Sequence, residues 1–271
     1  MPFQVTSENR NAWREDGALC LRGALSREWL GILENGFEAS LGSPGPLSKD
    51  YGRNGGKFFT DHAMYKRLPP FRSFIWDSPL AAIAAELMGA TKLRLVDDHL
   101  LVKEPGTDNP TYWHHDFPYF QFEGDDFINF WIPLDPVTQA NGAMRFAAGS
   151  HLWGKLFHPV RIGKGDLIEE AEKLDGPVPD IDGEPEKYRV VSWDVAPGDV
   201  LVFNGKTLHA ATPNTTSDRR RRALAVRFTG DDIRWRPRPY APADDAFRDL
   251  KPGLPIDCDA YPIVWEAEAG A

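Results

Sequence analysis

From residue 91 onward the chain is a succession of short β-type runs, and this punctuation restricts its fold more than any other feature. TKLRLVDDHLLVKEPG, TYWHHDFPYF, FINFWIPLD, GAMRFAAG, YRVVSWDV, GDVLVFNG and ALAVRFTG follow one another with turn residues between them. That texture belongs to an all-β sandwich or barrel. Asn141-Gly142 lies between two runs and predicts a hairpin, because a tight primed turn needs positive φ, which Asn and Gly tolerate. Pro197-Gly198-Asp199 opens another strand. Residues 154–188, rich in Gly, Pro, Asp and Glu, read as one long insertion of the kind that covers an enzyme site.

The first ninety residues read as mostly helical. A short segment precedes Gly17, and SREWLGILENGFEASL follows with Ser26 as N-cap and Gly42 as stop. In PLAAIAAELMGA, Asp77 or Ser78 caps, Pro79 fits the first position and Gly89 closes in the left-handed conformation. SPGPLSKDYGRNGGK, between these helices, reads as a loop or lid. The ending, from Arg234 to Pro239 and onward, is rich in Pro and Arg and reads as a surface wrap. The expected organisation is one domain over 1–271: a mostly helical extension at 1–90, a β core at 91–230 and a C-terminal wrap at 231–271. Hydrophobic residues at 42% and 9 Trp suffice for a sizeable core and exclude a disordered chain.

A formal charge of -9 argues against a nucleic-acid partner, whose phosphates need a dense basic surface. Cys20 and Cys258 lie far apart without metal-type spacing, so reduced thiols in a cytoplasmic protein are expected. The N-terminus lacks a basic region followed by an apolar stretch, and PLAAIAAELMGA is too short to span a bilayer. The expectation is a soluble, cytoplasmic protein with no membrane partner. Its oligomeric state is unmarked.

In an extended WHHDFPYF run, His114 and Asp116 point to one side and His115 to the other. His209, in GDVLVFNGKTLHAATPN just beyond an apolar strand, offers a third ligand. Two imidazoles and one carboxylate on one face of an octahedral ferrous ion leave positions open for a co-substrate and dioxygen. Taken alone, a His-x-Asp pair is more often a surface or hydrogen-bonded pair.

Here it has company. TYWHHDFPYF, FWIPLD, NGAMRFAAGSH and GDVLVFNGKTLHAATPN followed by RRALAVRF, in that order, resemble the phytanoyl-CoA dioxygenase family over residues 57–230, the VKEPGT run included. The resemblance implies a mainly β fold, a double-stranded β-helix (jelly roll, cupin-like) with N-terminal helices buttressing one sheet. It implies an oxidoreductase using Fe(II) and 2-oxoglutarate as co-substrate, with dioxygen, to hydroxylate a small organic metabolite and release succinate and CO2. His114, Asp116 and His209 match the catalytic iron ligands. The family also has an Arg beyond the distal His that pairs with the far carboxylate of 2-oxoglutarate. Arg219 to Arg222 occupy that region, and the extra Thr of PNTTSD lengthens the spacing. The ALAVRF strand sets the register on Arg221, which shares a face with the small Ala223 and Ala225. Arg222 is the reserve, and Arg219 and Arg220 read as a solvated turn.

By the same resemblance Trp131, Lys57 and His99 are co-substrate contacts; the plainer readings are a core Trp, an exposed lysine and a hydrogen-bonded His. Phe117 and Tyr119 line the substrate pocket or simply pack. His115 faces away, His151 belongs to the GSH turn, and His62 and His158 have no partner at ligand spacing. Asp97 and Asp98 are adjacent on a strand, so they face opposite ways and make no acid–base pair. Asp116 favours oxygenation over halogenation, since a halogenating relative has a small residue there. Two rivals share the residues: the same cofactor chemistry ending in desaturation, ring formation or epimerisation, and a non-catalytic metal-binding jelly roll. A structural zinc site is usually four-coordinate and closed, which counts against the second. The family acts on acyl thioesters, free acids, amino-acid derivatives and natural-product intermediates, with selectivity in loops such as 42–56 and 154–188; a small free metabolite is the expected substrate.

Overall fold

The β-type runs become strands that pair antiparallel. The computed structural model describes residues 3–53, 55–168, 174–241 and 245–268. In chain order the elements are α1 (Ser7–Glu15), β1 (Ala18–Leu21), α2 (Arg27–Gly42), β2 (Lys49–Asp50), β3 (Phe58–His62), α3 (Pro69–Asp77), α4 (Leu80–Met88), β4 (Lys92–Lys103), β5 (Thr111–His114), β6 (Phe122–Glu123), β7 (Phe127–Pro133), β8 (Met144–Ala147), β9 (Val190–Ser192), β10 (Val200–Asn204), β11 (His209–Ala211), β12 (Arg221–Thr229), β13 (Arg234–Trp235) and β14 (Ile263–Glu266). The large sheet runs β1-β10-β7-β12-β4-β3-β2 with β14 added beside β4, and the small sheet runs β5-β11-β8-β9. The two sheets enclose a core and form the jelly roll.

Alternation along β12 shows why the sheet has two apolar faces. Leu224, Val226 and Phe228 join the core shared with α1–α4, whereas Ala223 and Ala225 turn inward with Trp131, Leu201 and Phe203 toward Met144, Phe146 and Ala211 of the small sheet. The bulky face is filled by helices; the two alanines keep the opposite face shallow, and that is where a ligand can lie.

The caps act in part as expected: the N-cap of α4 is Pro79 rather than Asp77, which ends α3, or Ser78, and α2 runs through Gly42 to a C-cap at Ser43. Ser26 is the N-cap of α2, though its side chain makes no cap hydrogen bond, and Gly89 closes α4 at φ 73°. One helix was missed. PPFRSFIWD forms α3, because two prolines pre-set the first turn of a helix, where no N–H is needed, and Phe71, Phe74 and Ile75 bury one face.

One topological expectation is corrected. Asn141-Gly142 does not close a hairpin: both edges of β7 are taken, by β10 and β12, so β8 pairs instead with β9 and β11 in the small sheet. The turn carries the chain between sheets, with Asn141 Oδ1 accepting from the Thr138 N–H at 2.7 Å and Gly142 at φ 108°. The N-terminal region is mostly helical, and it also lends strands to the large sheet. β1 extends the large sheet beside β10, β3 pairs along β4, and from the other end of the chain β14 completes β4. An open sheet edge is satisfied by whichever segment reaches it. Among the described residues no helix is long and apolar enough to cross a membrane.

Candidate active site

His114 and His209 face each other across the small sheet, as directly paired residues of β5 and β11. Asp116 reaches them by a different route from the one alternation suggests. β5 ends at His114, and Asp116 begins a 3-10 turn over Phe117–Tyr119 with helical dihedrals (φ -75°, ψ -27°). The pair converges through that turn, with Pro118 inside it, rather than through strand parity. Asp116 Oδ1 lies 3.5 Å from His114 Nε2 and 3.7 Å from His209 Nε2. These are the distances of three donors around one point rather than of a hydrogen-bonded chain.

Backbone carbonyls decide which nitrogen of each ring is available. His114 Nδ1–H donates to Tyr112 O at 2.7 Å and His209 Nδ1–H to Thr207 O at 3.0 Å. Each Nε2 is thereby left with its lone pair toward Asp116, the tautomer a metal ligand needs. Burial, then His114, pushes the His209 imidazole down to about 3, so it stays neutral. Burial alone would raise Asp116, but Arg227 beside it, with the two imidazoles, holds its carboxyl well below the usual range. Two imidazole nitrogens and one carboxylate fit ferrous iron and leave half of an octahedron open. A divalent metal at 100 times its Kd is expected to stabilise the protein by about 2.7 kcal/mol. Thermal melts with and without metal read this, and His114→Ala, at the rim of the trio, should remove the shift.

Register lays out the wall opposite the trio. Antiparallel pairing sets Arg221 beside Lys103 and Lys103 beside Phe58; the next inward row is Pro133, Ala223, Leu101 and Thr60; then Trp131, Ala225, His99 and His62; then Asn129, Arg227 and Asp97. Arg227 ties this wall to the trio, its Nε donating to Asp116 Oδ2 at 2.9 Å and its Nη1 to Asp97 Oδ2 at 3.1 Å.

At the far end, Arg221 is 2% exposed and makes no ion pair among the described residues. Its guanidinium lies 5.5 Å from the Trp131 ring centre, its Nη1 donates a long 3.3 Å bond to Leu101 O, and its Nε has no partner. Burial lowers it to about 10. A Cβ on Gly142 would come within 3.0 Å of that Nε, so the glycine of the inter-sheet turn makes room for the guanidinium. Arg222, the reserve, faces the other way and is tied to Asp135 (2.8 Å) and Glu34 (3.2 Å). Arg219 and Arg220 are exposed, Arg220 pairing with Glu104 at 2.8 Å.

The remaining predicted residues divide. Trp131 lies under Arg221. His99 is inward and buried, its Nε2 without a partner, and burial, then His62, lowers it well below the usual histidine range. Lys57 is exposed, as the plainer reading has it, with its carbonyl taken by the Glu104 N–H and the Thr107 hydroxyl. The ammonium beside Arg221 is that of Lys103. Phe117 packs into an aromatic cluster with Phe122 and Phe127. Tyr119 stands edge-on to His114 at 6.0 Å, and its hydroxyl donates to Val160 O (2.6 Å) and accepts from Val160 N–H (2.8 Å). His115 Nε2 accepts from the Phe157 N–H at 3.0 Å. Both contacts pin the 154–188 insertion beside the trio; residues 169–173 of it lie outside the described residues.

Four residues escaped the sequence reading. Lys103 and Arg227 carry a signal in retrospect: each has the inward parity of its strand, and a charge on an inward position asks for a partner. Asn129 is inward too, with neither amide atom partnered. His62 has no partner at ligand spacing in the sequence, yet its Nδ1 lies 3.1 Å from Asp97 and its ring stacks on His99 at 3.8 Å. Its partners come from β4 by strand pairing, across a gap of 35 residues that spacing does not reveal. His62, Asp97 and His99 also have metal-ligand spacing, but the Arg227 charge already occupies Asp97. Asp98 faces outward, accepting from the Tyr65 N–H, as alternation requires.

With this geometry in place, the phytanoyl-CoA dioxygenase (PhyH) family profile matches residues 13–223. The chain belongs to the phytanoyl-CoA dioxygenase family. Among curated relatives it is 29% identical over 118 residues to a probable alpha-ketoglutarate-dependent hypophosphite dioxygenase of Stutzerimonas stutzeri, covering 44% of this chain and 39% of that protein. To a probable phytanoyl-CoA dioxygenase of Caenorhabditis elegans it is 22% identical over 247 residues, covering 84% and 77%. The strongest alignments thus span well under half of the relatives' own length. A solved non-heme alpha ketoglutarate dependent carbocyclase from nogalamycin biosynthesis superposes with a TM-score of 0.73 at 24% identity, covering 97% of this chain and 99% of that one. That likeness carries the jelly-roll fold of this family member.

Proposed function

We propose that the protein is an Fe(II)- and 2-oxoglutarate-dependent dioxygenase that hydroxylates a small organic metabolite in the cytoplasm as a single domain. The observation that carries this is the pairing of an open His114–Asp116–His209 trio with Arg221, a buried cation with no ion pair among the described residues, on the facing sheet. β11 joins the two: it starts at His209, and three residues on, about 10 Å of extended chain, the Thr212 carbonyl meets the Lys103 ammonium. The space between the trio and Arg221 on the facing sheet suits a short dicarboxylate such as 2-oxoglutarate, one end toward each. The balanced reaction is R–H, dioxygen and 2-oxoglutarate to R–OH, succinate and CO2. Ferrous iron, when bound, supplies the redox chemistry that couples decarboxylation to oxidation of the substrate.

The chain supplies orientation and exclusion of water. Tyr112 and Thr207 carbonyls hold the two imidazoles, and Arg227 holds the Asp116 carboxylate in its ionised form with Oδ1 toward both rings. Arg221 offers the far carboxylate a planar pair of N–H donors, Trp131 and the two alanines shape the floor, and Tyr119 and His115 fasten the covering insertion. Partners are the metabolite and dioxygen; the net charge of -9 speaks against a nucleic acid.

Succinate production from 2-oxoglutarate by the purified ferrous protein, in air against anaerobic controls and across a panel of free acids and other small metabolites, tests this. If 2-oxoglutarate is neither bound nor consumed, the reading fails. Arg221→Met is expected to raise the 2-oxoglutarate requirement at least about 30-fold, the low end of what losing one partner of a buried charge pair costs. Arg222→Met should leave it within about threefold, since its partners Asp135 and Glu34 belong to the outer face.

A further inference from the structure

We propose that His62, held by Asp97 and stacked on His99, anchors the primary substrate through a neutral hydroxyl group, so that the enzyme takes alcohols and phenols in preference to free acids. The inference rests on the function proposed above and names the substrate class for that site.

His62 ends β3 opposite His99, in the inward row that also holds Ala225 and Trp131. Asp97, ion-paired with Arg227, can only accept, and its two oxygens lie 3.2 and 3.1 Å from His62 Nδ1. Nδ1 therefore carries a proton, and Nε2 on the far side of the ring is left for a ligand. β2 pairs with β3 at Phe59 and Thr60 and stops short of His62, whose side chain keeps 30% of its surface exposed. Stacked against it, His99 is 4% exposed with its Nε2 unpartnered, an orphan that a closed core does not keep.

The backbone is built to hold this ring. The His62 N–H donates to Asp61 Oδ1 at 2.9 Å, and the buried Asp61 is fixed in turn by the Ser40 hydroxyl and the Gly45 N–H. Ala63 follows at φ 54°, the only non-glycine residue with positive φ among those described. That conformation is unfavourable for alanine, and such strain gathers at functional sites.

The cluster does not suit a metal. Imidazole lone pairs lie in the ring planes, and rings stacked at 3.8 Å and 19° aim them side by side, whereas His114 and His209 meet at 52°. Nor does it suit an anion. Arg227 is the cation here and already holds both Asp97 and Asp116, and the neighbouring inward positions Thr60, Leu101, Ala225 and Trp131 bring no other. A hydroxyl needs no counter-charge, and as donor and acceptor in one group it satisfies Nε2. Because a single guanidinium ties Asp97 to Asp116, a molecule anchored on His62 lies beside the iron trio.

Benzyl alcohol, benzylamine and benzoate share one ring and differ in charge, so anaerobic calorimetry of each on the ferrous protein with 2-oxoglutarate bound tests the inference. Benzyl alcohol is expected to bind at least about fivefold more tightly than either charged analogue, the worth of one hydrogen bond. His62→Phe keeps a ring against His99 and removes both nitrogens; it should abolish the preference while 2-oxoglutarate still binds within about threefold of the unmodified protein. His62→Gln, which retains an amide oxygen to accept, should recover part of it. Benzyl alcohol that binds no better than benzoate, or a preference unchanged in His62→Phe, would overturn the anchor and leave the dioxygenase reading intact. Failure of the unmodified protein to bind 2-oxoglutarate would instead remove that reading, and the anchor with it.

Discussion

Asp116→Ala should reduce succinate formation more than 100-fold, beyond the roughly 10–100-fold typical of losing only an outer-shell partner of a metal site. The carboxylate is the sole anion of the trio, so its loss removes both a ligand and the charge that makes a divalent cation welcome. His209→Ala should match it. Asp116 does more than His114: it also accepts the 2.9 Å bond from Arg227 Nε, so Asp116→Ala lowers the melting temperature of the metal-free protein, whereas His114→Ala, at the rim, leaves it nearly unchanged. Metal content after dialysis, succinate yield and a melt on each variant separate ligand loss from unfolding. Turnover retained in both Asp116→Ala and His209→Ala would sink the ligand assignment.

Arg227→Met is expected to destabilise the metal-free fold by about 3–5 kcal/mol, the range for breaking a buried ion pair from one side. Arg227 lies between Asp97 and Asp116, and its removal leaves both without their guanidinium. The deficit has a defined pH dependence. In the unmodified protein burial raises Asp97, but His62 and Arg227 outweigh it and hold the carboxyl well below the usual range. That stability is present above about pH 4, the unfolded carboxyl value, and is lost as pH falls through the lowered folded value. Without Arg227, burial acts with less opposition and both carboxyls rise. The difference between variant and parent is therefore largest near neutrality and narrows in acid. Bound metal should narrow it as well, by giving Asp116 another cation. Urea melts at neutral and acid pH read all three effects; a neutral-pH cost below about 1 kcal/mol would contradict the bridge.

The fold was largely readable because short alternating runs between turn residues leave few architectures available, and Gly89 and Ser26 mark helix ends by local chemistry alone. What misled was also local. Asn141-Gly142 carries the chemistry of a hairpin turn, but which strand follows as neighbour depends on free edges, and β7 has none. α3 was obscured by two prolines that end helices in most positions and start one here.

The site divides along the same line. By itself the sequence determined the donors: residue types at 114, 116 and 209, the arginine cluster, and the parity that puts Arg221 with Ala223 and Ala225 on one face. Those are properties of short segments, set by side-chain chemistry and the two-residue repeat of a strand. Only the tertiary structure decided the partners. It showed that Asp116 arrives by a 3-10 turn, that His62 meets Asp97 and His99, that Arg227 bridges two carboxylates, and that Lys103 lies beside Arg221. Each of these depends on which strands pair and in what register, a choice made by the burial of the whole sheet and recorded in no one segment of the chain.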